Sequence, residues 1–231
     1  VKTGNMKVLM FVFLPASEIP GGLGTASYGL TKGLSRIKDV DVTFVVPKTY
    51  GDEDQTSVKL LVAGDIQITK RKLHLKNFSK AMDYLEVKSN IVPYVDPEDF
   101  WRLSKKEVSG RYNFIQVNSE GKISFSGKYG PDLLTEIANY SVVSAVNARI
   151  KQHNLIHAHD WLAYPAGIAA KEVSGKPLVI HVHATDFDRS GGKVNPDVYA
   201  IEKKGMDIAD LIITVSNLTR DTVINKYHIN P

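Results

Sequence analysis

Two strand-like segments that end in histidine and aspartate carry the residue types best suited to chemistry. Residues 157–161 read HAHDW, and residues 181–186 read HVHATD. Side chains alternate along a strand, so His157 and His159 are expected on the same face. If the two strands are parallel neighbours, His159, Asp160 and His183 meet in one pocket.

Histidine and carboxylate side chains raise the question of a metal site, since paired histidines on a strand can ligate zinc. The sequence has neither a helical H-E-x-x-H nor an H-x-H-x-D-H pattern, and we therefore expect no metal. His157 and His181 lie deeper in their strands, and we interpret them as core imidazoles with satisfied hydrogen bonds. His183 is then the first candidate for catalysis, and Asp160 is the second.

A glycine-rich segment is the other candidate site. Residues 18–24 read EIPGGLG and separate an apolar run from an amphipathic one. Gly21, Gly22 and Gly24 would let the backbone approach a ligand closely, and free amides at a helix start favour a diphosphate. A glycine turn that only connects a strand to a helix is equally consistent with the pattern. A nicotinamide site fits less well, because the G-x-G-x-x-G motif is incomplete.

Strands alternate with helices around these segments. Hydrophobic periodicity predicts strands at 8–14, 40–46, 155–159, 178–183 and 211–215, and helices at 25–36, 131–153, 163–173, 197–209 and 217–227. Ser216 or Asn217 is expected to cap the last helix. Residues 51–130 are irregular, with short alternating stretches and a hairpin turn at 118–121.

This alternation predicts an α/β fold with a doubly wound, mostly parallel sheet and an irregular β-containing insertion. In such folds ligands bind beyond the carboxyl ends of the strands, which is where the histidine segments lie. We expect one domain over residues 6–231, and we interpret residues 1–5 as a leader added in cloning.

Composition excludes several classes of function. The 231 residues include no Cys, so thiolate nucleophiles, thiolate zinc sites and disulfides are excluded, and a cytoplasmic location is expected. The net charge is only +4 and no long basic run occurs, so nucleic acid is not an expected partner. The most apolar run near the start is too short to span a membrane.

Several motifs also occur in the order found in one enzyme family. They are MKVL at 6–9, SE at 17–18, GGL at 21–23, HAHDW at 157–161, VH at 182–183 and TVS at 214–216. The chain therefore resembles the N-terminal half of the glycogen and starch synthases, which are retaining glycosyltransferases of the two-domain GT-B type. The resemblance runs from Met6 to the end of the chain and is poor in the middle segment.

This resemblance implies transfer of glucose from ADP-glucose or UDP-glucose to the non-reducing 4-hydroxyl of an α-1,4-glucan, with retention and without a cofactor or metal. The glycine segment, including Leu23, would face the donor diphosphate. Glu18 and Asp160 would line the acceptor cleft, and His183 would contact the donor glucose. The loop lacks the Lys that the family carries before its paired glycines.

The rest of the family's active site belongs to a C-terminal domain that follows the region matched here. That domain is the expected partner of this one, and the isolated N-terminal domain is expected to be inactive. Two alternatives remain open. One is another GT-B glycosyltransferase of the mannosyl or sucrose type, and the other is a non-catalytic glucan-binding module.

Overall fold

The computed structural model describes residues 5–13, 22–49, 59–68, 118–127, 130 and 133–231. The strands among these residues are β1 (Met6–Val12), β2 (Val40–Val46), β3 (Lys59–Val62), β4 (Leu155–His159), β5 (Leu178–Val182) and β6 (Leu211–Thr214). The α-helices are α1 (Gly22–Leu34), α2 (Leu133–Ile150), α3 (Tyr164–Ser174), α4 (Asp186–Arg189), α5 (Pro196–Ile208) and α6 (Asn217–Tyr227).

The six strands form one parallel sheet in the order β3-β2-β1-β4-β5-β6. The order reverses between β1 and β4, where Val12 pairs with His159. Open parallel sheets bind ligands at this kind of switch point, outside the carboxyl ends of the strands. The predicted Rossmann-like parallel sheet is confirmed, and His159 lies beside its switch point.

Side chains alternate between the two faces of β1 and β4, and the two faces differ in composition. Leu9, Phe11, Ile156 and Ala158 are almost completely buried against α2 and α3 in the large core. These strands are covered by helices on this face, which explains their continuous apolar sequence. Burying the apolar surface of this layer supplies most of the drive to fold.

The opposite face of the sheet is apolar under α1 and polar beyond it. Met10 and Val12 of β1 pack in a smaller cluster with Leu30 of α1. The neighbouring positions on β4 are His157 and His159, which pair with Met10 and Val12 in the sheet. The register of β4 therefore places histidines, and not aliphatic residues, on this side.

Most elements differ from their predicted bounds by one to three residues, as β1 does (predicted 8–14, observed Met6–Val12), and strand β3 was missed. Helix α1 begins at Gly22 and not at Thr25, so the predicted loop residues 22–24 form the first helical turn. Strand β3 was not predicted, since it is a four-residue edge strand that is only partly buried. Its apolar part is too short to show a period.

The short helix α4 was also not predicted. Its start is fixed by a capping box, in which the Thr185 side chain bonds the backbone of Asp188 and the Asp188 side chain bonds the backbone of Thr185. A four-residue helix leaves no amphipathic period in the sequence, although the capping-box spacing was readable.

The hairpin predicted in the insertion can be judged only at its turn. The Asn118 side-chain oxygen accepts hydrogen bonds from the backbone amides of Glu120 and Lys122, and Gly121 has a positive φ of 77°. The turn is therefore present. Most of the segment before residue 118, including the alternating stretch 91–95, lies outside the described residues. No helix in the described ranges is long and apolar enough to cross a membrane.

Candidate functional site

Four histidines from β4, β5 and the residue after β5 stack at the carboxyl edge of the sheet. His159 pairs with His181 across the two strands, so the side chains share a face. Ring centroids are 4.2 Å apart for His157 and His159, 5.0 Å for His159 and His181, and 4.4 Å for His181 and His183. We call these four residues the histidine cluster.

A direct hydrogen bond links the two strand ends within the histidine cluster. His159 Nδ1 and His183 Nε2 lie 3.0 Å apart. The structure thus brings His159 and His183 together, as the sequence predicts. The bond fixes the His183 ring relative to the switch point, because His159 belongs to the strand beside β1.

Burial within the histidine cluster follows the predicted order only in part. His157 is 6% exposed and His159 is fully buried, as the core interpretation of His157 requires. His181 was expected to be more buried than His183, but both are half-buried. The reason lies on the next strand, where Ile213 faces the same side as His181 and is itself 37% exposed.

Burial keeps the whole histidine cluster neutral at pH 7. It lowers the pKa of His157, His181 and His183 to about 4, and it lowers the pKa of His159 well below the ordinary value. For His157, His159 and His181, mutual repulsion between neighbouring imidazolium charges adds to the effect. Neutral imidazoles keep a lone pair on one ring nitrogen, so they can accept a hydrogen bond or stabilise a positive charge.

Asp160 occupies a strained turn directly after β4. Its φ of 62° and ψ of 161° lie in a region that residues other than glycine rarely adopt, at a cost of about 1–3 kcal/mol. The carboxylate is 4% exposed, and its Oδ1 accepts a 2.6 Å hydrogen bond from the Trp161 amide. Burial raises the pKa of Asp160, and the nearby Arg189 guanidinium opposes that rise. Such strain persists where the surrounding structure enforces it, often at functional sites.

A buried ionic network behind Asp160 was not anticipated from the sequence. Arg189 of α4 lies 3.5 Å from Asp160 Oδ1 and also donates to Glu202 Oε1. The hydroxyl of Tyr227 donates to the second oxygen of Glu202. Burial raises the pKa of Glu202 to about 7, and Arg189 acts against that rise. One sequence signal could have indicated part of this network. Asp186 and Arg189 follow the HVHAT motif at a spacing of three, which places an acidic and a basic side chain on one helical turn.

The glycine segment is described only at its end. Glu18 and Gly21 lie outside the described residues, whereas Gly22, Leu23 and Gly24 open α1. A Cβ atom added at Gly22 would meet nothing within 4 Å. Packing among the described atoms therefore does not demand a glycine there.

The hydroxyl of Ser216 has the capping role expected of it. Its Oγ accepts a 3.1 Å hydrogen bond from the Thr219 amide at the start of α6. Ser216 is therefore explained by helix capping, and we do not place it in the candidate site.

The sequence profile of Glycosyltransferase Family 4 matches residues 116–231, which is half of the chain and includes β4, β5 and the histidine cluster. The chain belongs to glycosyltransferase family 4. The resemblance drawn from the motifs is thus confirmed at the level of a glycosyltransferase. Its narrower form, a glycogen or starch synthase, stays a proposal.

One curated relative and two solved structures illustrate the similarity. An uncharacterized glycosyltransferase of Methanocaldococcus jannaschii is 27% identical over 82 residues, or 34% of this chain and 21% of that protein. A sucrose-phosphate synthase from Thermosynechococcus elongatus aligns with 95% of this chain and 82% of its own, at 10% identity and a TM-score of 0.43. The alignment with a UDP-forming α,α-trehalose-phosphate synthase from Burkholderia xenovorans covers 97% of this chain and 42% of that protein, at 15% identity and a TM-score of 0.45. The chain thus matches only part of the curated relative and less than half of the trehalose-phosphate synthase.

Proposed function

We propose that the whole protein containing this chain transfers glucose from ADP-glucose or UDP-glucose to the non-reducing 4-hydroxyl of an α-1,4-glucan, with retention of configuration. In this proposal residues 6–231 form the acceptor-side domain of a two-domain GT-B enzyme, and a C-terminal domain binds the nucleobase and part of the diphosphate. The observation that carries the proposal is the neutral His183 ring at the carboxyl edge of the sheet, hydrogen-bonded to His159 beside the switch point.

His183 has the electrostatic character that glycosyl transfer needs. The reaction passes through an oxocarbenium-like state, so positive charge develops at the anomeric carbon. An imidazolium would repel that charge, whereas burial holds His183 neutral. Its Nε2 is engaged with His159 and restrains the ring, which leaves Nδ1 to contact the donor sugar. A ring held in advance stabilises the transition state without reorganisation.

The first turn of α1 would bind the donor diphosphate. The first four amides of a helix have no partner inside the helix, and the helix dipole favours an anion beside them. Gly22 is exposed, and a Cβ atom added there would meet nothing within 4 Å among the described residues. Backbone amides would therefore supply part of the grip that the missing loop Lys provides in the glycogen and starch synthases. Gly21, Leu23 and Gly24 belong to the same proposed site.

Asp160 would contribute to acceptor binding through one oxygen. Oδ1 is used by the Trp161 amide and by Arg189. Oδ2 has no hydrogen bond to the described residues and can accept one from a sugar hydroxyl. The buried Arg189 would keep the carboxylate charged and oriented for that contact. Glu18 is proposed as a second acidic residue on the acceptor side.

A donor and acceptor panel tests this proposal. The whole protein is incubated with labelled ADP-glucose, UDP-glucose or GDP-mannose and with glycogen, fructose 6-phosphate or glucose 6-phosphate. Glucose incorporation into glycogen from one of the first two donors supports the proposal. Transfer from GDP-mannose, or to a sugar phosphate alone, would instead establish the mannosyl-type or sucrose-type alternative. Glycogen binding without turnover of any donor would establish the binding module.

A further inference from the structure

We propose that His157, His159 and His181 form a binding site for a divalent transition-metal ion of the zinc class. Each of these residues offers one ring nitrogen, and the three nitrogens lie within 4.8 Å of one another. This site is additional to the proposed glucosyl transfer and does not depend on it. We call these three residues the imidazole triad.

Unsatisfied buried nitrogens provide the main argument. Nε2 of His157, Nε2 of His159 and Nδ1 of His181 are all buried without a hydrogen-bond partner among the described residues. A buried polar atom without a partner costs about 1–3 kcal/mol, so such atoms are uncommon and call for an explanation. Here three such nitrogens belong to adjacent side chains, and one ion would coordinate one nitrogen from each ring.

The donor set selects the class of metal. Three imidazoles without thiolates match zinc, nickel, copper and cobalt, whereas magnesium and calcium prefer oxygen ligands. Metal–nitrogen bonds of about 2.1 Å in a tetrahedron bring ligand nitrogens to about 3.4 Å from one another, so the triad needs only side-chain adjustment. Three protein ligands leave the fourth position for water.

The surrounding hydrogen bond fits this assignment. Histidines that ligate a metal usually donate their other ring N–H to a neighbour, which fixes the tautomer. With the metal on Nε2 of His159, the proton resides on Nδ1, which lies 3.0 Å from Nε2 of His183.

The sequence alone does not show this site, because its ligands come from two strands. His157 and His159 are two residues apart on β4, and His181 is brought beside them by the register of β5. Familiar metal motifs place two ligands on one helix or one loop at fixed spacing. Here only the pairing of the strands completes the set.

Cobalt(II) binding tests the proposal directly. The full chain, stripped with chelator, is titrated with Co²⁺ and then with competing Zn²⁺, and the visible absorption of four-coordinate cobalt is recorded. We expect one ion per chain and displacement by zinc. His157→Gln and His181→Gln should each weaken binding at least about tenfold. His153→Gln is the matched control, since His153 is also 6% exposed but lies outside the triad.

The structure of the variants is checked by circular dichroism, and imidazole ¹⁵N NMR of the unmodified chain provides a second measurement. Zinc should shift the ring-nitrogen signals of His157, His159 and His181 and leave those of His153 and His228 unchanged. Binding of equal strength in the triad variants and in His153→Gln would overturn the proposal. So would the absence of stoichiometric binding, or zinc-induced shifts confined to histidines outside the triad.

Discussion

His183 is the residue on which the proposed chemistry depends most. In the proposed mechanism, replacement by Ala removes the neutral ring that would face the developing positive charge, while His159 remains in the core. In the whole protein, we predict that His183→Ala lowers kcat by roughly 10²-fold or more, with a smaller change in KM, since the lost contact acts mainly in the transition state. His228→Asn is the control, because His228 is exposed at the end of α6. An unchanged kcat would shift the catalytic assignment to Asp160.

The lowered pKa values of the histidine cluster predict an acid-sensitive fold. An unfolded histidine titrates near 6.5, whereas His157, His181 and His183 in the folded protein have pKa values of about 4. Below pH 6.5 the unfolded chain takes up protons that the folded chain excludes. These groups should therefore leave the free energy of unfolding unchanged above pH 6.5 and lower it as the pH falls from about 6.5 to 4. Urea unfolding in chelator at a series of pH values measures this.

Glu202 acts in the opposite direction over an overlapping pH range. Its pKa is raised from 4.5 to about 7, so ionisation is less favourable in the folded state and acidification through this range adds stability. Four histidines outweigh the two carboxyl groups with raised pKa values, Glu202 and Asp160, so the net trend is a loss of stability at low pH. In Glu202→Gln the loss between pH 6.5 and 4.5 should be steeper than in the unmodified protein. An equal or shallower slope would contradict the assigned direction for Glu202.

At the residue scale, the sequence predicts which histidines lie together but does not predict the buried ionic network beside Asp160. The alternation of HAHDW and HVH is enough to place His159 near His183, which the 3.0 Å contact confirms. Arg189 and Glu202 could not be paired, because their contact depends on how α4 and α5 pack. The exposure of His181 depends in turn on the uncovered face of β6. Neither packing arrangement is encoded in local periodicity.

At the scale of elements, Arg189 ties α4 to β4 and α5. It is the cation beside three acids, namely Asp160, Asp186 and Glu202. Arg189→Met would leave buried carboxylates without their cation, and we predict a loss of about 3–5 kcal/mol in the free energy of unfolding. Arg220→Ala breaks an exposed ion pair with Asp221 and should cost less than about 1 kcal/mol. Equal effects in denaturant titrations would contradict a structural role for the buried network.

Two helical glycines provide a matched test of packing between elements. A Cβ atom at Gly205 of α5 would lie 2.5 Å from Cδ2 of Tyr164, whereas one at Gly29 of α1 would meet nothing within 4 Å. Gly205→Ala should therefore destabilise the protein by about 1–3 kcal/mol through overpacking. Gly29→Ala should stabilise it by up to about 1 kcal/mol through helix propensity. Thermal unfolding distinguishes the two, and stabilisation by Gly205→Ala would show that α5 does not pack closely on α3.

Most strands and helices were predictable, including the four-residue strand β6, whereas β3 and α4 were not. Strands β2 and β4 have the predicted bounds, and so does helix α6. Each combines a clear hydrophobic pattern with a breaker or cap at its end. Strand β3 is an edge strand and helix α4 is a single capped turn, so tertiary pairing and capping, and not periodicity, decide their structure.

At the scale of the whole molecule, the parallel sheet explains why distant motifs act together. Val12 at the end of β1 pairs with His159, and His159 pairs with His181 on the next strand. Both histidine motifs therefore lie at one edge of the sheet, beside the end of β1. The alternation of strands and helices predicts this convergence, because parallel strands place their carboxyl ends together. The identity of the acceptor is not encoded in the topology.

The anomeric configuration of the first transfer product tests the central claim most directly. The whole protein is supplied with a nucleotide α-glucose donor and a short α-1,4-glucan, and the product is followed by proton NMR from the first turnover. Our account predicts a new α-1,4 linkage, formed with the unmodified protein and at least about 10²-fold more slowly with His183→Ala. A β-linked product, or transfer that is independent of His183, would contradict it.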